Sequence, residues 1–186
     1  MTKKLFTVFA FTLAMCNLNA QTVAEPEFIG ECILIRSDNT TTPLDKQLTQ
    51  GRQVASTGLI LTGIGKVRQQ IQIEGCCSSV NFKQNEDVTI IARNIDNNSD
   101  PLAVIKVFKF EQKKKYRRAD LASLSSLGST KSNNLEYVNF SAKKYGESSY
   151  SLKLSNVTPG EYAVIIVNPN SLDQKQTVVS TFAVTE

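Results

Sequence analysis

The chain contains no histidine and no tryptophan, and among its 186 residues only four cysteines and two methionines. Without histidine there is no Ser-His or Cys-His catalysis, and the commonest transition-metal ligand is gone. Without tryptophan, the aromatic platforms open to a sugar are Tyr116, Tyr137, Tyr145 and Tyr150. Of these, Tyr150 shares the apolar face of Leu152 and Leu154 and reads as core. Strong charge of one sign is also missing: 21 Lys and Arg stand against 17 Asp and Glu. The net charge of +4 includes Lys3 and Lys4 at the extreme N-terminus. So small a bias leaves no electrostatic footprint for nucleic acid, and none is expected as a partner. After the N-terminal segment, no apolar run is long enough to span a bilayer as a helix.

What is present begins with an export signature. Lys3 and Lys4 precede an apolar stretch from Leu5 to Met15, which has signal-peptide length. Leu18-Asn19-Ala20 places a small residue before Gln21. A cleavable signal over residues 1–20 is expected, and with it an exported protein that is periplasmic, outer-membrane-associated or secreted. Leu13-Ala14-Met15-Cys16 resembles a lipobox, but Met15 is not small, so ordinary cleavage is favoured over lipidation. The remaining roughly 165 residues suffice for one domain with a real core. They would divide into an N-terminal extension, 21–65, and a sandwich core, 66–186.

Three cysteines follow the signal: Cys32, Cys76 and Cys77. Cys32 can bridge to either of the other two in an oxidising compartment. The sparse, odd count favours three small buried hydrophobes. Adjacent Cys76 and Cys77 lack C-x-x-C spacing, and without histidine no zinc site is expected.

Strand periodicity dominates the rest. Gln70-Ile71-Gln72-Ile73-Glu74 alternates and stops at Gly75; Val88, Ile90 and Ala92 share a face, as do Tyr150, Leu152 and Leu154. Phe28 to Arg36, Leu135 to Phe140 and Thr177 to Thr185 read as further strands. Leu102 to Phe110 and Tyr162 to Val167 are apolar on both faces, as strands covered on both sides are. Their outer cover is expected from the N-terminal segment, especially Leu59 to Ile64, or from another protein. Asn94 to Pro101, Thr158-Pro159-Gly160 and Asn168-Pro169-Asn170 read as turns. Arg118 to Asn134 reads as loop, with room for one short helix over Ala119 to Leu127.

Several motifs are matched in part and fail on their mechanics. Ser141-Ala142-Lys143-Lys144 fits S-x-x-K and Ser37-Asp38-Asn39 fits S-D-N, but their order is reversed and K-T-G is absent. Gly58 to Lys66 is glycine-rich like a phosphate loop, but its spacing is wrong and Val67 stands where Ser or Thr is needed. Bends in a strand are the expected use of those glycines.

Leu152-x-Leu154 followed by Val157-Thr158-Pro159-Gly160-Glu161-Tyr162 resembles the E-to-F corner of immunoglobulin-like sandwiches, where a Tyr early in strand F bonds back to nearby backbone. The resemblance implies an all-β, immunoglobulin-like antiparallel sandwich over Lys66 to Glu186, with one extra strand in the N-terminal extension. Leu102 to Phe110 would be strand C, Tyr162 to Val167 strand F and Thr177 to Thr185 strand G. The buried strand C tryptophan and the inter-sheet disulfide of antibody domains are both absent. More broadly, the chain resembles small uncharacterised exported proteins of Gram-negative bacteria, which implies a location and no activity.

The functional expectation is a non-catalytic binding module of the cell envelope, without a cofactor, engaging a protein or surface component. Alternatives are a subunit of an envelope assembly and a carboxylate-based glycan hydrolase. Recognition residues are expected in the end loops. Asn97, Asn98 and Asp100 of the B-to-C loop and Asn168, Asn170 and Asp173 of the F-to-G loop fall at one end. The oxygen-rich segment Asn94 to Asp100 has ligands suited to Ca2+ but no EF-hand spacing. The basic run Lys113, Lys114, Lys115, Arg117 and Arg118 lies at the opposite end, suited to an anionic partner or simply to water.

Overall fold

Period-two alternation is realised as two packed β-sheets. The computed structural model describes residues 23–131, 134–167 and 177–186, so the expected signal segment and Cys16 lie outside them. From the N-terminal side come β1 (Cys32–Ile35), β2 (Thr41–Pro43), β3 (Asp45–Leu48), β4 (Gln50–Ala55), helix α1 (Thr57–Thr62) and β5 (Lys66–Glu74). Next are β6 (Asn81–Lys83), β7 (Thr89–Arg93), the short helix α2 (Pro101–Val104), β8 (Ile105–Gln112) and β9 (Tyr116–Ser125). The remaining strands are β10 (Thr130–Lys131), β11 (Glu136–Tyr137), β12 (Phe140–Tyr145), β13 (Ser149–Leu154), β14 (Gly160–Ile166) and β15 (Val178–Thr185).

The first sheet has the order β12-β13-β7-β1-β2. The second follows β3-β15-β14-β8-β9-β5-β4, with β6 added beside β15, β11 beside β8 and β10 beside β9. All pairings are antiparallel except that of β6 with β15. The segment 21–65 was expected to hold one extra strand. It holds four, and they serve both sheets: β1 is bonded on both sides, to β2 and β7, while β3 pairs with β15.

The main core fills the space between the sheets. Leu34, Ile90, Ala92, Tyr150 and Leu152 meet Ile105, Val107, Tyr162, Val164, Phe182 and Val184, all buried. Tyr162 and Phe182 stack with ring centroids 5.4 Å apart. The Tyr162 hydroxyl accepts from Thr158 N (3.2 Å) and donates to Thr158 O (2.5 Å), closing the turn before β14 as the corner motif predicts. Both central strands are apolar on their outer face as well, where Phe108, Phe110 and Ala163 lie buried.

The cover of that outer face corrects the sequence expectation. Leu59 to Ile64 does not provide it; Ile60, Leu61 and Ile64 are solvent-exposed. Instead, β9 pairs with β8 only at Glu111↔Arg118 and Gln112↔Arg117, and β11 takes over the vacated edge at Lys109 and Phe108. Freed from β8, β9 pairs along its length with β5. The second sheet thereby curls into a half-barrel. Ile71, Ile73 and Ala119 are folded over Phe108, Phe110, Ala163 and Val179 in a second core. Arg118 to Asn134, expected to be loop or helix, is thus largely strand. Its Ser-rich composition suits a strand with little to bury beyond Leu121.

Two helices also depart from the expectation. Pro101 to Val104 is helical rather than the start of a strand, because Asp100 caps it, its carboxylate accepting from Leu102 N at 2.8 Å, with proline in the first turn. The glycines near residue 60 frame α1 and do not bend a strand. Ser56 caps the start, and Gly63 ends it at φ 72° in the left-handed conformation.

Candidate interaction surface

The three groups of residues expected to carry recognition have different fates. Asn168, Asn170 and Asp173 lie outside the described residues. In the B-to-C loop, Asn97 is buried and holds the loop together. Its amide nitrogen lies 3.3–3.4 Å from three acceptors, the carbonyls of Tyr145, Gly146 and Ser149. Asn98 is exposed, its amide oxygen accepting from Lys144 Nζ at 3.2 Å, and Asp100 is spent on capping α2. Asp96 accepts from Asn98 N and Asn94 donates to Asp96 O, so much of the loop's polarity is turned on itself. No group of three or more His, Cys, Asp or Glu positioned for a metal occurs among the described residues.

The basic run is dispersed by the fold. Arg117 is not a surface cation: it is fully buried. Its Nη1 donates to Glu161 at 3.1 Å and its Nε to Gly75 O at 3.3 Å. Gln47, with its amide nitrogen donating to Glu74 O, accepts from Arg117 Nη2 at 3.0 Å. Arg117 therefore ties β3, the end of β5, β9 and β14 together where the second sheet curls. Lys113 and Arg118 both pair with Glu111, at 2.5 and 2.6 Å. These contacts, Arg118 foremost, hold the Glu111 carboxyl down at about 2. Only Lys114 and Lys115 of the run remain exposed without an ion pair among the described residues.

Next to this knot, Cys76 and Cys77 are bonded to each other, which corrects the expectation of three buried thiols; Cys32 is the free, buried one. Burial pushes the Cys32 thiol up to about 12. The loop around the disulfide is held by carboxylates. Ser78 N donates to Glu161 (2.9 Å), Ser78 Oγ to Asp45 (2.8 Å), and Ser79 N and Oγ to Asp45 (2.7 and 2.6 Å). Burial pushes the Glu161 carboxyl up, while Ser78 N–H and Arg117 pull against it. This cluster holds the structure together with its polar groups turned inward.

The surface that stands out is elsewhere, at the far end of the curl. Beyond Gln70, β4, β5, β9 and β10 leave the second core as an arm, and every residue of β4 is exposed. The arm ends in α1 and the turn between β9 and β10. Gly65 N donates to Ser126 Oγ (3.0 Å) and Ser126 N to Gly65 O (2.9 Å), which locks the two tips side by side. On them sit Ile60 (72% exposed), Leu61 (76%), Ile64 (64%) and Leu127 (83%). Leu127, Leu61 and Ile60 are the three most exposed large hydrophobics among the described residues. A short helix ordinarily persists by burying an apolar face. This one buries no residue.

The strand register sorts the rest of the arm. Directly paired residues share a face. Arg68 pairs with Val54 and Ser123, and Ser123 with Lys131. Arg52, Lys66, Arg68 and Lys131 therefore lie on one face, while Ala55, Val67, Ala122 and Leu124 lie on the other. Residues 51–70 and 121–131 contain no Asp or Glu. Arg68 reaches back to Asp120 at 3.6 Å, at the arm's base. No protein-family model matches the chain, and neither a curated protein nor a solved structure does.

Sequence reasoning noticed Leu59 to Ile64 as apolar and assigned it to cover. The available signal was the flanking pattern: Leu59, Ile60 and Leu61 between a serine cap, Ser56, and a glycine stop, Gly63, with only the cations Arg52 and Lys66 as the nearest charges on either side.

Proposed function

We propose that this protein is an exported, non-catalytic binding module of the cell envelope, built on an immunoglobulin-like sandwich, with the arm tip as its contact surface. The sheet order supports the scaffold. β12-β13-β7-β1 facing β15-β14-β8 has the order of strands D-E-B-A facing G-F-C, and Tyr162 makes the corner bonds of that plan. The observation that carries the functional reading is the cluster of Ile60, Leu61, Ile64 and Leu127 on a tip pinned by two hydrogen bonds. Contiguous exposed apolar surface on a soluble domain ordinarily marks a place of contact.

The assembly reading rested on an uncovered outer face of the central strands. That face is covered within the chain by β5 and β9, which removes the ground on which the assembly reading stood. A photo-crosslinking residue at Leu61, compared with one at Asn98, tests the proposal in native envelopes. Adducts, to protein or to lipid, are expected from position 61 and not from 98. Equal labelling, or none at 61, would overturn the tip as the contact surface.

A further inference from the structure

We propose that the tip's occupant is an anionic lipid surface, into which α1 and the β9–β10 turn insert. This rests on the reading of the tip as the contact surface and names its partner. Three features of the arm converge. The tip is aliphatic on two segments pinned side by side, α1 with Ile64 and the β9–β10 turn, and its four side chains Ile60, Leu61, Ile64 and Leu127 stand out into solvent. The cations nearest it are Lys66 and Lys131, with no carboxylate in residues 51–70 or 121–131, while Arg68 and Arg52 reach back toward the base of the arm, to Asp120 and Gln72. And the cations share one face of the arm through the register of β4, β5, β9 and β10.

The dimensions fit. Lys66 follows immediately on the tip and Arg68 lies two residues higher, about 7 Å along an extended strand. The headgroup layer of one leaflet is roughly 5–7 Å deep. With α1 sunk to the acyl boundary, as interfacial helices are, Lys66 stands at headgroup level, and so does Lys131, which is level with Arg68 through Ser123. A neutral bilayer would be held by the apolar cap alone. Anionic headgroups add attraction of the kind basic residues exert at membrane surfaces. A second copy of the chain is the less favoured occupant, because two such tips would bring like charges together.

The test is flotation of the purified chain with vesicles of phosphatidylcholine and phosphatidylglycerol in equal amounts, against phosphatidylcholine alone. Binding is expected to the anionic vesicles and to weaken as salt rises. Ile60→Ser with Leu61→Ser is expected to lower it at least about tenfold, since each side chain loses its apolar transfer. Lys66→Gln with Lys131→Gln is expected to lower it roughly 30-fold, about fivefold per lysine, on anionic vesicles only. All four positions are exposed, so melting temperatures should hold. Because the chain has no tryptophan, Leu61→Trp supplies a sole reporter. Its emission should shift to the blue on anionic vesicles and be quenched by brominated acyl chains.

No flotation, or flotation that the serine variant leaves unchanged, overturns the inference. So does self-association in light scattering that the serine variant abolishes. If vesicles fail while the crosslinker at position 61 still captures one defined protein, the lipid inference falls and the contact surface stands. If both fail, the tip reading falls with it.

Discussion

Replacing Arg117 with alanine should be among the most damaging single changes available in this chain. The side chain is fully buried, and it donates to Glu161, Gly75 O and Gln47. Its loss leaves Glu161 as a buried carboxylate with Ser78 N–H as its remaining close donor. Breaking a buried pair by removing one partner costs about 3–5 kcal/mol, a large share of the 5–15 kcal/mol that holds a typical domain. At about 2–4 °C per kcal/mol for a chain of this size, the melting temperature should fall by roughly 6–20 °C. Arg117→Met combined with Glu161→Gln should recover most of the loss, because the glutamine oxygen still accepts from Ser78 N–H and no charge stays buried. Glu161→Leu in place of Gln should recover less, leaving that N–H orphaned at about 1–3 kcal/mol.

The pH dependence carries the sign. The Glu161 carboxyl is raised in the folded protein, chiefly by burial. Between its usual 4.5 and the raised value, the folded state holds a proton that the unfolded state has lost, so this group's contribution to stability falls as pH rises. Removing Arg117 raises the carboxyl further. Near pH 4.5 both folded proteins hold the proton, so the stability difference between wild type and Arg117→Ala should begin to widen only as pH rises past the raised wild-type value. Urea unfolding of the four proteins at several pH values measures this. A cost below about 1 kcal/mol, the range of exposed pairs, or a cost independent of pH, would refute the buried pair.

Other expectations follow from the same structure. Glu111 is held at about 2 by Arg118 and Lys113, so the stability it contributes is present above 4.5 and lost as pH falls toward 2; NMR titration of its carboxyl and a flatter acid limb for Glu111→Gln check this. In the chain from Gln21 onward, alkylation without reductant should label nothing in the native state and one cysteine, Cys32, after denaturation; two or three labels would refute the Cys76–Cys77 bond. Tyr162→Phe should cost about 1–2 kcal/mol in urea unfolding, by removing both bonds to Thr158. Asn97→Ala should cost a similar amount, since three carbonyls lose their shared amide donor.

Much of the scaffold was legible in the residues. The two-sided apolarity of Ile105, Val107, Phe108 and Phe110 announced a strand covered on both faces, and both covers exist. The Thr158-Pro159-Gly160-Glu161-Tyr162 turn announced its own hydrogen bonds. The candidate surface was less legible. Leu59 to Ile64 is apolar whether it lies on a core or in water, and exposure is not written in a hexapeptide. Arg117 looked like the fourth member of a surface charge run. Its partner Glu161 lies 44 residues away and its orientation depends on where β9 leaves β8. Lys66, Arg68 and Lys131 share a face only once the β5–β9–β10 register is known.

By itself the sequence determined most of the sandwich strands, though not β9 and β10, where most of the turns fall, and which side chains of those strands alternate in and out. Those properties follow from the period of two and from Pro, Gly and Asn in local backbone geometry, which neighbours along the chain decide. Tertiary structure alone decided which strand covers the outer face of β8 and β14, that Arg117 turns inward, that Cys76 pairs with Cys77, and that α1 stands in solvent. Each of these depends on strand partners or on competing contacts far apart in the chain. The same apolar or basic residue satisfies its local pattern in either setting, and only packing selects between them.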